Sequence, residues 1–183
     1  MERLREQYNK EFAPKLAKEF NYANVMQVPK VTKIVLNVGV GKLSKDSKFT
    51  DLVIKDLTQI AGQVPVKTIA RKSIAGFKLR EGQVVGVVAT LRGERMYAFL
   101  DKLINVALPR VKDFRGISDK GFDGRGNFHI VLREHVVFPE ISNEALEHTF
   151  GMEISIVTNA GNDEAAHRLL KLMNFPFRSE DKE

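Results

Sequence analysis

Apolar residues recur at every fourth position near the start of the chain, at Leu4, Tyr8, Phe12, Leu16 and Phe20, which predicts an N-terminal helix. Pro14 falls inside that run. A kink, or a division into two short helices, is expected there because proline has no N–H and crowds the preceding turn. The period then changes to two. Lys30 to Gly39 reads KVTKIVLNVG, a strand with Ile34, Leu36 and Val38 on one face and Lys33, Val35 and Asn37 on the other. Gly39-Val40-Gly41 breaks it in a turn expected to need positive φ. A helix capped by Asp46 or Ser47 follows, with Phe49, Leu52, Val53, Leu57 and Ile60 as its stripe and Gly62 as its stop. Gln63 to Thr68 reads as a short strand with Gln63, Pro65 and Lys67 on one face, and Pro65 predicts a sheet edge.

The next segment, up to Gly82, reads as a long loop or loose hairpin. Gln83 to Arg92 is β-branched, with Val85, Val87, Ala89 and Leu91 facing one way and Val84, Gly86, Val88, Thr90 and Arg92 the other. A helix begins at Glu94 with Met96, Phe99, Leu100, Leu103 and Val106 as its stripe, and Pro109 ends it. Arg110 to Arg125 is expected to be an extended loop. Asn127 to Arg133 is a strand with Phe128, Ile130 and Leu132 inward. Val136 to Ile141 is a short strand or turn, and Glu153 to Thr158 is another strand. The last helix is capped by Asn162, buries Ala166, Leu169, Leu170 and Met173, and stops at Phe175-Pro176.

The order α-β-α-β-β-α-β-β-α predicts an α+β fold: a mixed, largely antiparallel sheet, helices packed on one face, and an open polar and basic face suited to RNA. Lys33, Asn37, Gln63, Lys67, Thr90, Arg92, His129 and Arg133 are expected on that open face. They are cations and hydrogen-bonding groups without a carboxylate. Aromatic side chains are missing, so a structured RNA met through backbone and 2′-OH contacts suits the face better than stacked single strands. An ordinary solvated sheet face is the competing reading.

Charge sharpens the picture. Lys67 to Arg80, KTIARKSIAGFKLR, holds five cations and no acid, and Lys67 to Arg115 holds 11 Lys and Arg against 4 Asp and Glu. That net of +7 exceeds the +6 of all 183 residues, so the remainder is close to neutral. A concentrated cationic block is what a polyanion selects, through counterion release. Phe77 lies among these cations, where it either stacks on a base or ribose or anchors the loop against the sheet.

A single domain over 1–178 is expected, with 179–183 a disordered acidic tail. There is no cysteine, hence no disulfide framework or thiolate site. The N-terminus lacks a signal-peptide core and no apolar run would span a bilayer, so a cytosolic protein without a membrane partner is expected. Gly39-Val-Gly-Lys42 fails as a phosphate-binding loop, since Leu36 and Leu43 stand where Gly and Ser or Thr are needed. His129, His135, His148 and His167 show no metal-ligand spacing; His129 is expected on the open face and the others at surface or boundary positions. Asp113, Asp123, Glu134 and Glu140 are expected to form ion pairs with loop arginines rather than an acid–base pair. No metal, cofactor or catalytic set is expected.

Five stretches carry a resemblance: VMQVPKVTKIVLNVGVGK (25–42), AGQVPVKTIARKSIAGFKLREG (61–82), TLRGERMYAFLDKL (90–103), ALPRVKDFRGISDKGFDGRGN (107–127) and NFPFR (174–178). Together, and in order, they resemble the L-five family of bacterial large-subunit ribosomal proteins over essentially the whole chain. The resemblance implies a structural RNA-binding protein that holds 5S rRNA in the central protuberance, beside neighbouring large-subunit rRNA and other proteins there. It implies rRNA contacts at Asn37, Gln63 and Thr90 with Lys33, Lys67 and Arg92 nearby. It further implies peptidyl-site tRNA contact through Arg71, Lys72, Ser73, Phe77, Lys78 and Arg80. A bridge to small-subunit ribosomal protein thirteen would involve Arg110, Lys112, Asp113, Arg115, Glu134, Glu140 and Glu144. The residues alone also leave open a small enzyme acting on a phosphorylated substrate, and a general RNA chaperone.

Overall fold

In the computed structural model, Ile34, Leu36 and Val38 are each 0% exposed while Asn37 between them faces solvent, so one-sided burial along β1 (Val31–Gly39) is realised. The structure describes residues 3–41, 47–141 and 149–178. The other strands are β2 (Val66–Ile69), β3 (Val84–Leu91), β4 (Phe128–Leu132) and β5 (Met152–Thr158). They join in the order β2-β3-β1-β5-β4, with β2 antiparallel to β3. With helices α1 (Arg3–Gln7), α2 (Ala13–Glu19), α3 (Ser47–Ala61), α4 (Gly93–Lys102) and α5 (Asp163–Leu172), the fold is α+β as the pattern predicts. The edge position of β2 also matches. The cap expected at Asp46 or Ser47, His148 and the tail 179–183 lie outside the described residues and side chains.

Packing divides the chain into two units, 1–34 with 92–130 and 155–183, and 35–91 with 131–154. Neither is continuous in sequence, so no composition shift marks the division.

In the first unit, both prolines that interrupt helices are accommodated by the same device. A π-helical turn (Tyr8–Phe12) joins α1 to α2, and the Ala13 N–H donates to the Tyr8 carbonyl five residues back. A second π-helical turn (Leu103–Ala107) follows α4, and the Leu108 N–H donates to the Leu103 carbonyl. The next residue is proline in each case, Pro14 and Pro109. Widening the turn satisfies the last available donor before a residue that has none. It also explains the four-residue spacing of Leu4, Tyr8, Phe12 and Leu16. A regular helix, at about 3.6 residues per turn, would let such a stripe drift around its surface, whereas a wider turn returns it to one side. All four are buried. After α4 the wider turn has the opposite effect on expectation: Val106 is 38% exposed, and Ile104 and Ala107 are buried instead.

The same unit holds an aromatic cluster in which Phe128 of β4, fully buried, meets Phe122, Phe175 and Phe177 with centroids 4.5, 5.5 and 5.4 Å away. The chain reaches it after α5 through Asn174, whose positive φ of 61° ends the helix. Asn162 caps α5 as expected, accepting from the Ala165 N–H at 3.0 Å.

In the second unit, α3 buries Phe49, Val53, Leu57 and Ile60 and stops at Gly62, φ 64°. Asp56 is 7% exposed and His135 is 0% exposed. The expectation that His135 is a surface or boundary residue is therefore corrected. Its ring stacks on Phe150 at 3.8 Å, Nδ1 accepts from the Phe150 N–H at 3.3 Å, and Nε2 lies 3.5 Å from Oδ2 of Asp56. Periodicity failed because His135 sits in a short 3-10 turn (His135–Val137), where no long stripe exists to read.

Burial, partly opposed by Asp56, holds the His135 pKa below its ordinary value. The unfolded chain takes up a proton near pH 6.5 where the folded one does not, so stability is expected to fall as pH drops below about 6.5. Denaturation midpoints at pH 7.5 and 5 should differ less in His135→Gln than in the parent; equal differences would show that the buried ring does not carry the effect.

Candidate nucleic-acid interface

Residues directly opposite in an antiparallel pair share a face. Val66 pairs with Val88 and Thr68 with Gly86, which puts Val66 and Thr68 on the open side of β3. Lys67 pairs with Val87, and Val87 is 0% exposed in the core. Lys67 therefore emerges on the side where α3 packs, and its Nζ lies 3.2 Å from Oδ1 of Asp51 in that helix. The expectation of Lys67 on the open face is corrected. The error came from the strand boundary: Gln63 and Pro65 precede β2, and Pro65 is buried. Gln63 still reaches β3, donating from Nε2 to the Thr90 carbonyl at 3.3 Å.

The open side of β1, β2 and β3 consists of Val35, Asn37, Val66, Thr68, Gly86, Val88 and Thr90. Gly86 sets its relief. A β-carbon there would come within 2.8 Å of Thr68 Oγ1, 3.2 Å of the Val38 carbonyl and 3.8 Å of Asn37 Oδ1. The Asn37 amide and the Thr68 hydroxyl have no hydrogen-bond partner among the described residues. Gly86 is itself buried, with the uncommitted Thr68 hydroxyl and Asn37 amide close against it and Val35, Val66 and Val88 at least partly exposed around them. Thr68 and Gly86 were not singled out as site residues. The signal was present, since glycine inside a β-branched run marks close backbone approach.

Lys33, on β1 but in the other packing unit, is half-buried, and Arg92, just beyond β3, is exposed; neither has an ion-pair partner among the described residues. His129 Nδ1 lies 3.0 Å from Ser155 Oγ.

The basic block is closed rather than loose. At its neck Ala70 N–H donates to the Gln83 carbonyl at 2.8 Å and Gly82 N–H to the Ala70 carbonyl at 3.0 Å. Higher up, Ile74 and Leu79 form a bridge, Ser73 Oγ accepts from the Glu81 N–H at 2.9 Å, and Gln83 Oε1 accepts from the Arg80 N–H at 3.3 Å. A short 3-10 turn (Ala75–Phe77) and Lys78 in the left-handed region, φ 52°, reverse the chain at the tip. Phe77 is 79% exposed, so it does not anchor the loop against the sheet. Arg71, Lys72, Lys78 and Arg80 of the same loop are exposed and without ion pairs among the described residues. A recess of about 480 Å³ lies beside Ala75, Lys78 and Arg80.

The third group is divided between the two units. Arg110, Lys112, Asp113 and Arg115 are exposed in the first unit, with Asp113 at φ 54°. Glu134 and Glu140 are exposed in the second, and Glu144 lies outside the described residues. Asp123 does not pair with an arginine guanidinium. It accepts from Asn127 Nδ2 at 2.7 Å and from the N–H groups of Arg125 and Asn127 at 2.8 and 3.0 Å, which lowers its pKa to about 2. Gly39 and Gly41 do not have positive φ, contrary to expectation. Val40 between them donates to the Val85 carbonyl at 3.0 Å, which stitches the segment to β3 instead of opening it as a turn. Among the described residues there is no group of three His, Cys, Asp or Glu able to hold a metal, and no helix long and apolar enough to cross a membrane.

Comparison with known proteins points in one direction. Residues 24–80 match the family described as Ribosomal protein L5, and residues 84–177 match the description of that ribosomal family's C-terminus. The large ribosomal subunit protein uL5 of Halothermothrix orenii is 56% identical over 174 residues, 95% of this chain and 97% of its own length. That of Geotalea daltonii is 55% identical over 179 residues, 98% of this chain and 100% of its own length. That of Brevibacillus brevis is 57% identical over 176 residues, 96% and 98% respectively.

The close approach at Gly86 makes a measurable demand. Gly86→Ala should destabilise the fold by about 1–3 kcal/mol, as overpacking does. Adding Thr68→Ala should recover part but not all of that loss, since the Val38 carbonyl remains in place. A double-mutant cycle by chemical denaturation reads the coupling; strict additivity would contradict the contact.

Proposed function

The chain belongs to the ribosomal protein L5 family, and from that premise we propose that it binds 5S rRNA and attaches it in the central protuberance of the large subunit. It is a structural protein of the large ribosomal subunit rather than an enzyme. The observation that carries the reading is the uncommitted Asn37 amide and Thr68 hydroxyl, brought close together over buried Gly86 on the open sheet face. Without a side chain at Gly86 these two groups lie close together and offer donors and acceptors to sugar and phosphate oxygens. Partly exposed valines around them suit the shallow minor groove of an A-form helix, which is recognised by shape and 2′-OH contacts. Thr90 and Gln63 border this part of the face. Lys33 and Arg92 supply phosphate neutralisation, while Lys67, held by Asp51, contributes from the sheet edge.

Binding to 5S rRNA at near-physiological salt, with excess tRNA as competitor, tests this reading. Affinity should survive competition and fall with salt at a log–log slope of about −0.7 to −0.9 per phosphate contact. Asn37→Ala with Thr90→Ala should weaken binding while the unfolding midpoint stays close to the parent's. Unchanged affinity in that double variant would remove the sheet face from the interface.

The tip of the basic loop is the proposed contact to peptidyl-site tRNA. A preformed loop carrying an exposed aromatic among four unpaired cations can stack on a nucleobase or ribose without first having to order. Phe77→Ala should reduce tRNA contact in reconstituted subunits by about 1–3 kcal/mol, as loss of one stacked base does, and leave 5S rRNA binding unaltered. Loss of 5S binding in the same variant would merge the two surfaces into one. Arg110, Lys112, Asp113 and Arg115, with Glu134, Glu140 and Glu144, are the proposed contacts to small-subunit ribosomal protein thirteen. Neighbouring large-subunit rRNA and other central-protuberance proteins complete the proposed setting in the cytoplasmic ribosome.

A further inference from the structure

A second recess lies in the first packing unit, and none of the residues assigned above lines it. It has a volume of about 400 Å³ and is lined by Asp119, His167, Lys171, Phe175, Phe177 and Arg178, with Pro176 between the phenylalanines. A cavity of that size lies in the range of about 300–1,000 Å³ that small ligands occupy.

Its walls are fixed by the backbone. The segment from Pro176 to Arg178 runs parallel to Ile117, with Ile117 N–H donating to the Pro176 carbonyl and Arg178 N–H to the Ile117 carbonyl, both at 2.9 Å. Gly116, at φ 89°, lets the strands close, because a β-carbon there would lie 2.8 Å from the Arg178 backbone. Asp163, His167 and Lys171 are spaced four apart along α5 and share one side of it, and His167 and Lys171 line the recess. The Asp163 carboxylate accepts from Gly126 N–H at 2.8 Å and Gly124 N–H at 3.0 Å, and His167 Nε2 lies 3.6 Å from Asp119 Oδ1. The ring of Phe177 packs 4.5 Å from that of His167 and 6.1 Å from that of Phe122, and part of it stays open to solvent.

The charges are sorted. The carboxylates of Asp123 and Asp163 are turned onto backbone N–H groups. Lys171 and Arg178 in the lining, and Lys120 and Arg125 elsewhere in the same unit, are exposed and unpaired among the described residues. A partly open aromatic ring bordered by the free cations Lys171 and Arg178 matches a base joined to a phosphate better than a bare anion or an apolar side chain.

We propose that this recess takes a single unstacked nucleotide of a structured RNA, with the base against Phe177 and the phosphate on Lys171 and Arg178. Asp119 then serves as acceptor for an exocyclic amino group on the base, so adenine, guanine and cytosine are preferred to uracil. The choice of RNA rather than an acidic peptide rests on the chain's place in the ribosome; the site itself does not depend on the sheet face binding 5S rRNA.

The test is an amide chemical-shift titration of the full chain with AMP, UMP, adenosine and inorganic phosphate. AMP should perturb amides in 117–120 and 167–178 and should bind more tightly than any of the other three. Lys171→Glu, on an exposed position, should weaken AMP binding by about tenfold or more with the rest of the spectrum unchanged, and Phe177→Leu should weaken AMP towards the phosphate value. Shifts confined to the basic loop or the β2–β3 face would overturn the proposal. So would tighter binding of an oligoglutamate peptide than of AMP at the same amides, which would assign the recess to a protein partner. Failure of 5S rRNA binding with AMP still seated here would count against the sheet-face reading alone.

Discussion

Burial of one face of the sheet is the constraint from which the rest follows. Ile34, Leu36 and Val38 of β1 are sealed, as are Val87, Ala89 and Leu91 of β3. A slip of one residue would exchange these for Asn37, Gly86 and Thr90, so register is held by the whole apolar set at once. That same register decides which polar groups stay outside. Thr68 is delivered to the open face because it opposes Gly86, and Lys67 is withheld from it because it opposes Val87. The helix-side ion pair of Lys67 with Asp51, both partners well exposed, stabilises little, so its effect is on where one positive charge points.

A second economy runs through the acidic residues. Asp123 and Asp163 bind backbone N–H groups of a glycine-rich loop, and Asp56 faces His135 inside the second unit. Carboxylates committed in this way are absent from the exposed ion pairs that loop arginines would otherwise form. Basic side chains in the 71–80 loop, and around the recess beside α5, are left without carboxylate partners among the described residues. Net charge alone understates this, because it counts acids wherever they are.

Both π-helical turns show a local defect used for packing. Each places an i+5 hydrogen bond directly before a proline and rotates the following residues. The turn after Tyr8 keeps a four-residue stripe on one side, and the one after Leu103 exposes Val106 and buries Ile104 and Ala107.

By itself the sequence determined the element order, the α+β class, the inward faces of β1, β3 and β4, the Asn162 cap and the concentration of charge in one block. Those properties are written in periods of two and 3.6, and in residues whose backbone preferences act locally. Family membership was legible too, because it rests on ordered residue identities along the whole chain. Only the tertiary structure decided the face of Lys67, since that face follows from its pairing with Val87 in a strand that begins three residues later than the pattern suggests. Burial of His135 beside Asp56, closure of the basic loop around Ile74 and Leu79, and the relief at Gly86 likewise depend on groups distant in sequence. No local pattern records such contacts, because their energy arises only when separate segments are packed together.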